Sequence, residues 1–388
     1  MTIIIFFIIL GLLVLVHEMG HFIVAKKAGV RVDEFGFGYP PRAFKIGRRW
    51  DTDFTINWIP FGGFVKIFGE NYEADNAEPN SLSRAQEFSA ENSFSAPSVE
   101  PRKPLESTIR FRFTEVTKKW QAAILVAGVS FNILFAWALF SLGFLIGVPS
   151  SVENNFGGEV KNPALTIIEV LPEYPASQSG IRSGDKIISV SNKNTSLKNT
   201  TPEEVSSLIN SSSEVNIKID RGGEKFNYKI VPKEDVDSRR KIVGISMDMV
   251  GTVSLPLHKA IIEGARTTGT LTYLTVDGLY NLVVGAFRGT ADLSSISGPV
   301  GIVGIVGDAS RLGFSYLLTL TALISINLAI INLIPFPALD GGRLLFVLIE
   351  SIKKTPINPK IAGWANTVGF ALLLLLMVFI TYRDIAKL

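Results

Sequence analysis

Residues 13–22 read LVLVHEMGHF. Two histidines and a glutamate follow directly on Ile3 to Val16, a run without a polar side chain. Ionisable groups inside a membrane-like segment carry a heavy desolvation cost, so such a cluster faces protein groups or a water pocket and marks a functional site. In an α-helix, positions i and i+4 lie one turn apart on one face. His17 and His21 can therefore offer imidazole nitrogens to one cation while Glu18 borders it. The chain has three histidines, and by composition H-E-x-x-H arises by chance in roughly one such chain per thousand. The competing reading, a hydrogen-bonded pair of core histidines, would bring the desolvation cost with no return. Zinc suits the spacing and leaves room for a third protein ligand and a water.

Hydrophobic residues make up 47% of the chain and charged ones only 19%, and the mean hydropathy is positive. That composition argues against a purely soluble protein. Ile3–Ala25, Trp120–Val148, Phe314–Ile334 and Ile361–Tyr382 each meet the requirement of about 20 mostly apolar residues for a membrane span. The first run reads as a span and not a cleaved leader, because no Lys or Arg precedes it and no A-x-A-like site follows. A net charge of +3, with no basic face interleaved with aromatics, points away from nucleic acid. The absence of cysteine rules out disulfides and thiolate ligands together.

Lys26, Lys27, Lys118 and Lys119 flank the first two spans on the side of the first loop, and Arg343, Lys353, Lys354 and Lys360 lie between the last two. After the second span Lys161 is the one cation near the membrane. The positive-inside rule then puts both termini and the 150–312 region outside the cytoplasm.

The pattern divides the chain into a first transmembrane helix (1–32), a membrane-associated β-hairpin region (33–70), a flexible insert rich in Asn, Ser, Glu and Pro (71–107) and a second transmembrane helix (108–150). A soluble module (159–250), an interfacial amphipathic segment (256–312), a third transmembrane segment (313–350) and a fourth helix (358–385) follow. The 33–70 region has short alternating runs punctuated by Gly and Pro, which predict two or three strands carrying Phe35, Phe37, Phe44, Trp58, Phe61 and Phe64. In the module, 164–170 and 215–220 carry strand signals, and Thr201 before Pro202 caps a helix over 201–209. The fold class expected is a polytopic α-helical membrane protein with four spans, a hairpin or small sheet at the membrane, and one extracytoplasmic α+β domain.

A third metal ligand must be His, Asp or Glu. His258 is available in the outer segment, where a lone histidine is most often a surface residue. Asp340 is the stronger candidate, since NLAIINLIPFPALDGGR places it after two prolines that break the third span and turn the chain back. An Asp-Gly turn at a helix end is its ordinary reading.

HEMGH in the first span, FGGFVKIFGE after the hairpin, AGVSFNILFAW in the second span and NLIPFPALDGG in the third together resemble the site-2 protease family of intramembrane zinc metalloproteases, in its bacterial RseP-like branch. The resemblance covers nearly the whole chain apart from 71–107. It implies one zinc ion per chain held by His17, His21 and Asp340, Glu18 as general base, and Asn332 holding the substrate backbone, with Asn327, Pro335 and Pro337 nearby and Phe61, Gly62 and Gly63 on the hairpin. The family usually carries a proline after the second-span glycine, where this chain has Val129 after Gly128. SGIRSGDKI resembles a PDZ turn, and KIVGISM, with Val243, Gly244 and Ile245, resembles the carboxylate-binding loop of a circularly permuted PDZ fold that would take extracytoplasmic C-terminal peptides. One such module fits here, where the best-known RseP-type members have two. The implied activity is regulated proteolysis, in the bacterial cytoplasmic (inner) membrane, of single-span proteins such as anti-sigma factors or remnant signal peptides.

A helical substrate hides its carbonyls in i to i+4 bonds, so cleavage calls for local unwinding, and a hairpin edge beside the site offers strand addition. One rival is a PDZ-bearing membrane scaffold with a structural metal. Structural zinc normally closes its fourth position, which three candidate ligands do not. A metal transporter would need a polar path, and the second and fourth spans as delimited above lack acidic residues and histidines.

Overall fold

The computed structural model describes residues 1–70, 111–153, 156–198, 200–235, 240–290 and 298–386, so the insert expected at 71–107 lies outside them, as do the side chains of Tyr39, Pro60 and Phe61. Along the chain run α1 (Thr2–Lys27), β1 (Val32–Arg49), β2 (Thr52–Ile67), α2 (Lys118–Ile146), β3 (Val148–Ser151), β4 (Val160–Val170), α3 (Pro175–Gln178), β5 (Lys186–Ser191), β6 (Ser196–Lys198) and α4 (Pro202–Ser211). Then come β7 (Val215–Arg221), β8 (Glu224–Ile230), β9 (Lys233–Glu234), β10 (Lys241–Ile242), β11 (Ile245–Val253), α5 (Leu257–Arg288), α6 (Pro299–Leu312), α7 (Phe314–Leu333), α8 (Asp340–Lys353) and α9 (Pro359–Ala386). They form two compact units, one of Met1–Ala136, Thr268–Ile305 and Leu323–Leu388, the other of Trp137–Thr267 and Val306–Ala322.

Among the described residues four helices, α1, α2, α7 and α9, are long and apolar enough to cross a membrane. They are the four spans the sequence predicts. In the first unit α1 buries Ile9, Leu13, Val16, His17, Gly20, His21 and Ala25, a single stripe at helical spacing, and leaves Ile4, Ile8 and Leu12 exposed on another face. Its histidines are thus on the protein-facing side. Only 6% of the apolar window of α9 is buried, which for a run of leucines makes sense in lipid and not in water.

β1 and β2 are joined through Trp50 and Asp51, both at positive φ, as a tight two-residue hairpin turn requires. There are two strands, within the two or three the sequence predicts, both long and each bent at its Gly- and Pro-containing middle. Phe35 consequently pairs with both Val65 and Phe54. Residues 63–67 bond to 32–37 along one flank, and no other described strand pairs with them. Phe22 of α1 packs edge-on against Phe35 and Phe54 at 5.4 and 5.9 Å between ring centres, and Val32, Ile67, Phe113, Ile124 and Val347 complete that core. Phe44 and Trp58, by contrast, are exposed.

The segment expected to be interfacial, 256–312, is two helices among its described residues. α5 turns Tyr273, Val276, Tyr280, Val283 and Phe287 outward, whereas the Thr275 hydroxyl donates to Asn327 Oδ1 of α7 at 3.3 Å. α6 stays helical through its glycines, with Pro299 at its first position, where no N–H is missed. The Gly301 N–H of its first turn donates to Asp384 Oδ2 of α9 at 2.8 Å, which satisfies a group that helix starts leave unpaired.

The second unit holds an antiparallel sheet of order β3-β11-β4-β5-β7-β8, with β6 on β5. β7 buries Val215, Ile217 and Ile219 at alternate positions, each stabilising the fold by about 1.5–3 kcal/mol, over a core that includes Val205 and Ile209 of α4. The Thr201 side chain caps α4 in a capping box with Glu204. The Thr200 hydroxyl and then the Thr201 N–H hold the Glu204 carboxyl below its ordinary value. Within SGIRSGDKI, buried Asp185 is gripped by Arg221 Nε and Nη2, both at 2.6 Å; losing one partner of such a pair costs about 3–5 kcal/mol. The sheet exceeds the 159–250 expected for the module. It opens at Val148, directly after α2, and closes at Val253, which pairs with Val148.

Candidate metal centre

Because α1 is unbroken, His17 and His21 stack on its buried stripe with Nε2 atoms 3.2 Å apart. Asp340, in the first turn of α8, sends Oδ2 to within 2.9 Å of His17 Nε2 and 3.2 Å of His21 Nε2. Ligands about 2.0–2.1 Å from a tetrahedral centre stand about 3.3 Å from one another. Two imidazoles and a carboxylate converging in this way match zinc in donor type and spacing, and they form the metal-competent cluster found among the described residues. His258 is exposed on the first turn of α5 and is not part of it.

One face of α2 backs the histidines. The Ile124 carbonyl accepts from His21 Nδ1 at 2.8 Å, so the proton sits on Nδ1 and the Nε2 lone pair faces the cluster. Two turns along the same face, buried Asn132 places its amide 3.3 Å from His17 Nδ1. Between them, α1 and α2 meet at small residues. A side-chain carbon on Gly20 would stand 2.5 Å from the Ala127 carbonyl oxygen, and one on Gly128 would overlap His21 Nε2 and come 2.8 Å from His17 Nε2.

Glu18 points to the hairpin. Its carboxylate takes the Val65 N–H, and a side-chain carbon at 63 would stand 3.7 Å from its Cγ. The outer segment 63–67 therefore crosses directly beside it. At the end of that strand Glu70 pairs with Arg343, one turn after Asp340 on α8, and the charges of Asp340 and Glu18 also act on Arg343.

The other sequence-derived residues are distributed unevenly. Asn332 Nδ2 is 3.5 Å from His17 Nε2, beside the cluster. Asn327 faces α5 through Thr275 instead. Pro335 is exposed, and the Pro337 carbonyl and ring pack on Gly369 of α9. Gly62 is at φ +78, next to Gly63 in the bent hairpin, whereas the Phe61 side chain lies outside the described residues. In the second unit Val243 is buried, its carbonyl taking the Ala176 N–H and that of Gly244 the Leu171 N–H, both at 2.9 Å. Ile245 then starts β11 opposite Val170.

Comparison with known proteins gives the family. The model of Peptidase family M50 matches residues 5–376. The chain belongs to this family. It is 31% identical to the zinc metalloprotease RasP of Oceanobacillus iheyensis, covering 100% of this chain and 99% of that one. To RasP of Geobacillus kaustophilus it is 29% identical over 100% and 98%, and to a putative zinc metalloprotease of Staphylococcus aureus 28% over 100% and 98%. It is accordingly a zinc metalloprotease of the site-2 protease type.

For an M50 protease the sequence reading missed three contributors to this site: Asn132, the Ile124 carbonyl, and the Glu70–Arg343 pair. Asn132 carried a signal, being an amide in the middle of an apolar span. The others depend on pairings distant in sequence.

Proposed function

We propose that this M50 protease is an intramembrane endopeptidase that cuts transmembrane segments of single-span membrane proteins, with anti-sigma factors and remnant signal peptides as substrate classes. One observation carries the reading. His17 and His21 lie on the buried stripe of an apolar helix, Asp340 of α8 converges on them, and Glu18 lies between them and a strand edge.

In this reading His17, His21 and Asp340 hold one zinc ion per chain, which when bound polarises the scissile carbonyl and acidifies the attacking water. Glu18 takes a proton from that water and delivers it to the leaving amine. The outer segment 63–67, with Phe61, Gly62 and Gly63 leading into it, adds the locally unwound substrate as a further strand. Asn332 pairs with substrate backbone groups that a helix would otherwise satisfy internally, while Asn327, Pro335 and Pro337 shape the surrounding helix ends.

The protein is placed in the bacterial cytoplasmic membrane as a four-span, lipid-embedded chain. Both termini and the 148–253 sheet lie on the outside, following the lysine and arginine asymmetry. That sheet is read as a PDZ-like module that filters substrates, with Val243, Gly244 and Ile245 at its peptide-binding loop.

Purified protein incubated with a panel of single-span substrates should cut within their apolar segments and stop when a chelator is added. Cutting confined to exposed loops, or unchanged by chelator, would refute the intramembrane reading.

A further inference from the structure

The two histidines are supported unequally from behind. Ile124 offers His21 a backbone carbonyl, an acceptor that cannot be exchanged for a donor. Asn132 offers His17 an amide, which presents either a donor or an acceptor according to how it is turned about its terminal bond. Asn132 is fully buried, its Nδ2 lies 3.3 Å from His17 Nδ1, and its Oδ1 is buried without a hydrogen-bond partner. Buried polar atoms are rarely left unpaired without a reason.

With Nδ2 towards the ring, His17 Nδ1 is the acceptor and Nε2 carries the proton, which it donates to Asp340 Oδ2 at 2.9 Å. A metal on Nε2 needs the opposite arrangement, a lone pair at Nε2 and the proton at Nδ1. Turning the amide by half a rotation brings the unpaired Oδ1 onto Nδ1–H. The backbone at this position stays fixed meanwhile, because the buried Ser325 hydroxyl donates to the Asn132 carbonyl at 2.8 Å and ties α2 to α7.

We propose that Asn132 is a positioning residue of the metal centre, whose side-chain oxygen accepts the His17 Nδ1 proton and so directs the His17 Nε2 lone pair to the metal. It rests on the reading of His17 as a ligand. The role is an acceptor's role, so aspartate can fill it and leucine of similar size cannot.

The test is zinc affinity by chelator competition on the full-length detergent-solubilised protein, with far-UV circular dichroism and thermal melting of the metal-free form alongside. Asn132→Leu should bind zinc about 10–100-fold more weakly, while Asn132→Asp stays within about threefold of wild type. A residue that merely fills space in an apolar span would give the reverse order, since a buried carboxylate costs more there than a leucine. Wild-type affinity in Asn132→Leu, or a loss in Asn132→Asp as large as in Asn132→Leu, overturns the proposal. If the leucine variant does not fold, aspartate against wild type decides alone. His17→Ala measured beside them separates the two levels: zinc lost there but unaffected in Asn132→Leu removes only the Asn132 role, while full retention in His17→Ala removes the ligand reading beneath it.

Discussion

Gly128 of α2 lies so close to His21 of α1 that any side-chain carbon at 128 would overlap the imidazole Nε2. The glycine is there for access, since the same atom would also crowd His17. Gly128→Ala must therefore push either the helix or the rings aside. Zinc occupancy by mass spectrometry should fall well below one per chain, and cleavage should fall with it by about tenfold or more, the loss expected when metal ligands are displaced. Full occupancy in that variant would mean that the helices part at no cost to the centre.

On the proposed roles, metal holding and proton transfer fall to adjacent residues. Glu18→Gln keeps shape and hydrogen-bonding capacity but cannot accept a proton, so zinc should remain near one per chain while turnover drops about a hundredfold or more. His17→Ala, His21→Ala and Asp340→Ala should lose zinc and activity together. Normal cleavage by Glu18→Gln would remove Glu18 from the chemistry.

Under the proposed strand addition, the substrate's own helix would be an obstacle. Asn332→Ala should slow cleavage with zinc unchanged, and Gly or Pro placed near the cut site should speed it, because both loosen helices. The Glu70–Arg343 pair holds the end of β2 to α8, so Arg343→Gln should slow the same substrates. Stiff leucine-rich segments cut as fast as loosened ones would show that unwinding is not needed.

The sheet from Val148 to Val253 contains none of the cluster residues, and those two valines are paired neighbours. Replacing 149–252 by a short Gly-Ser linker should thus leave zinc bound and small substrates cleaved, with broader selectivity. A folded, zinc-loaded deletion protein that cuts nothing would give the sheet a direct part in catalysis. Stopping the deletion at 159–250 would leave β3 and the end of β11 without most of their sheet, so the longer cut is the cleaner comparison.

Orientation can be read on this cysteine-free chain by introducing a single thiol. Ser191→Cys in β5 should react with an impermeant reagent from outside intact spheroplasts. Labelling only after the inner face is exposed would invert the topology.

The first helix was legible because helical spacing alone sets His17 above His21, and a span shows as composition. Asp340 was legible through its motif, while the alternative His258 had no local feature to exclude it. Asn132 was only half legible: an amide in the middle of an apolar helix stands out, but whether it supports a ligand or caps a void shows only at the α1 and α2 crossing, which puts it behind His17. Arg343 and Glu70 are 273 residues apart, beyond any local pattern. The hairpin was legible as strands joined by a tight turn, but the turn falls at Trp50 and Asp51 and not at the glycines and prolines, which act as bends within the two long strands. β3 merged with the apolar span before it, so the sheet seemed to start later than Val148.

His17 and Asp340 are separated by 323 residues, and a ribosome delivers them in that order. At about 5–20 residues per second the interval is roughly 15 to 65 s. Throughout that time the two histidines are already in the first span with no carboxylate opposite them, and the enzyme under synthesis has no assembled centre. A centre whose parts lie 323 residues apart in the chain is thus incomplete until the ribosome has passed Asp340, and order of synthesis alone withholds the metal site until then.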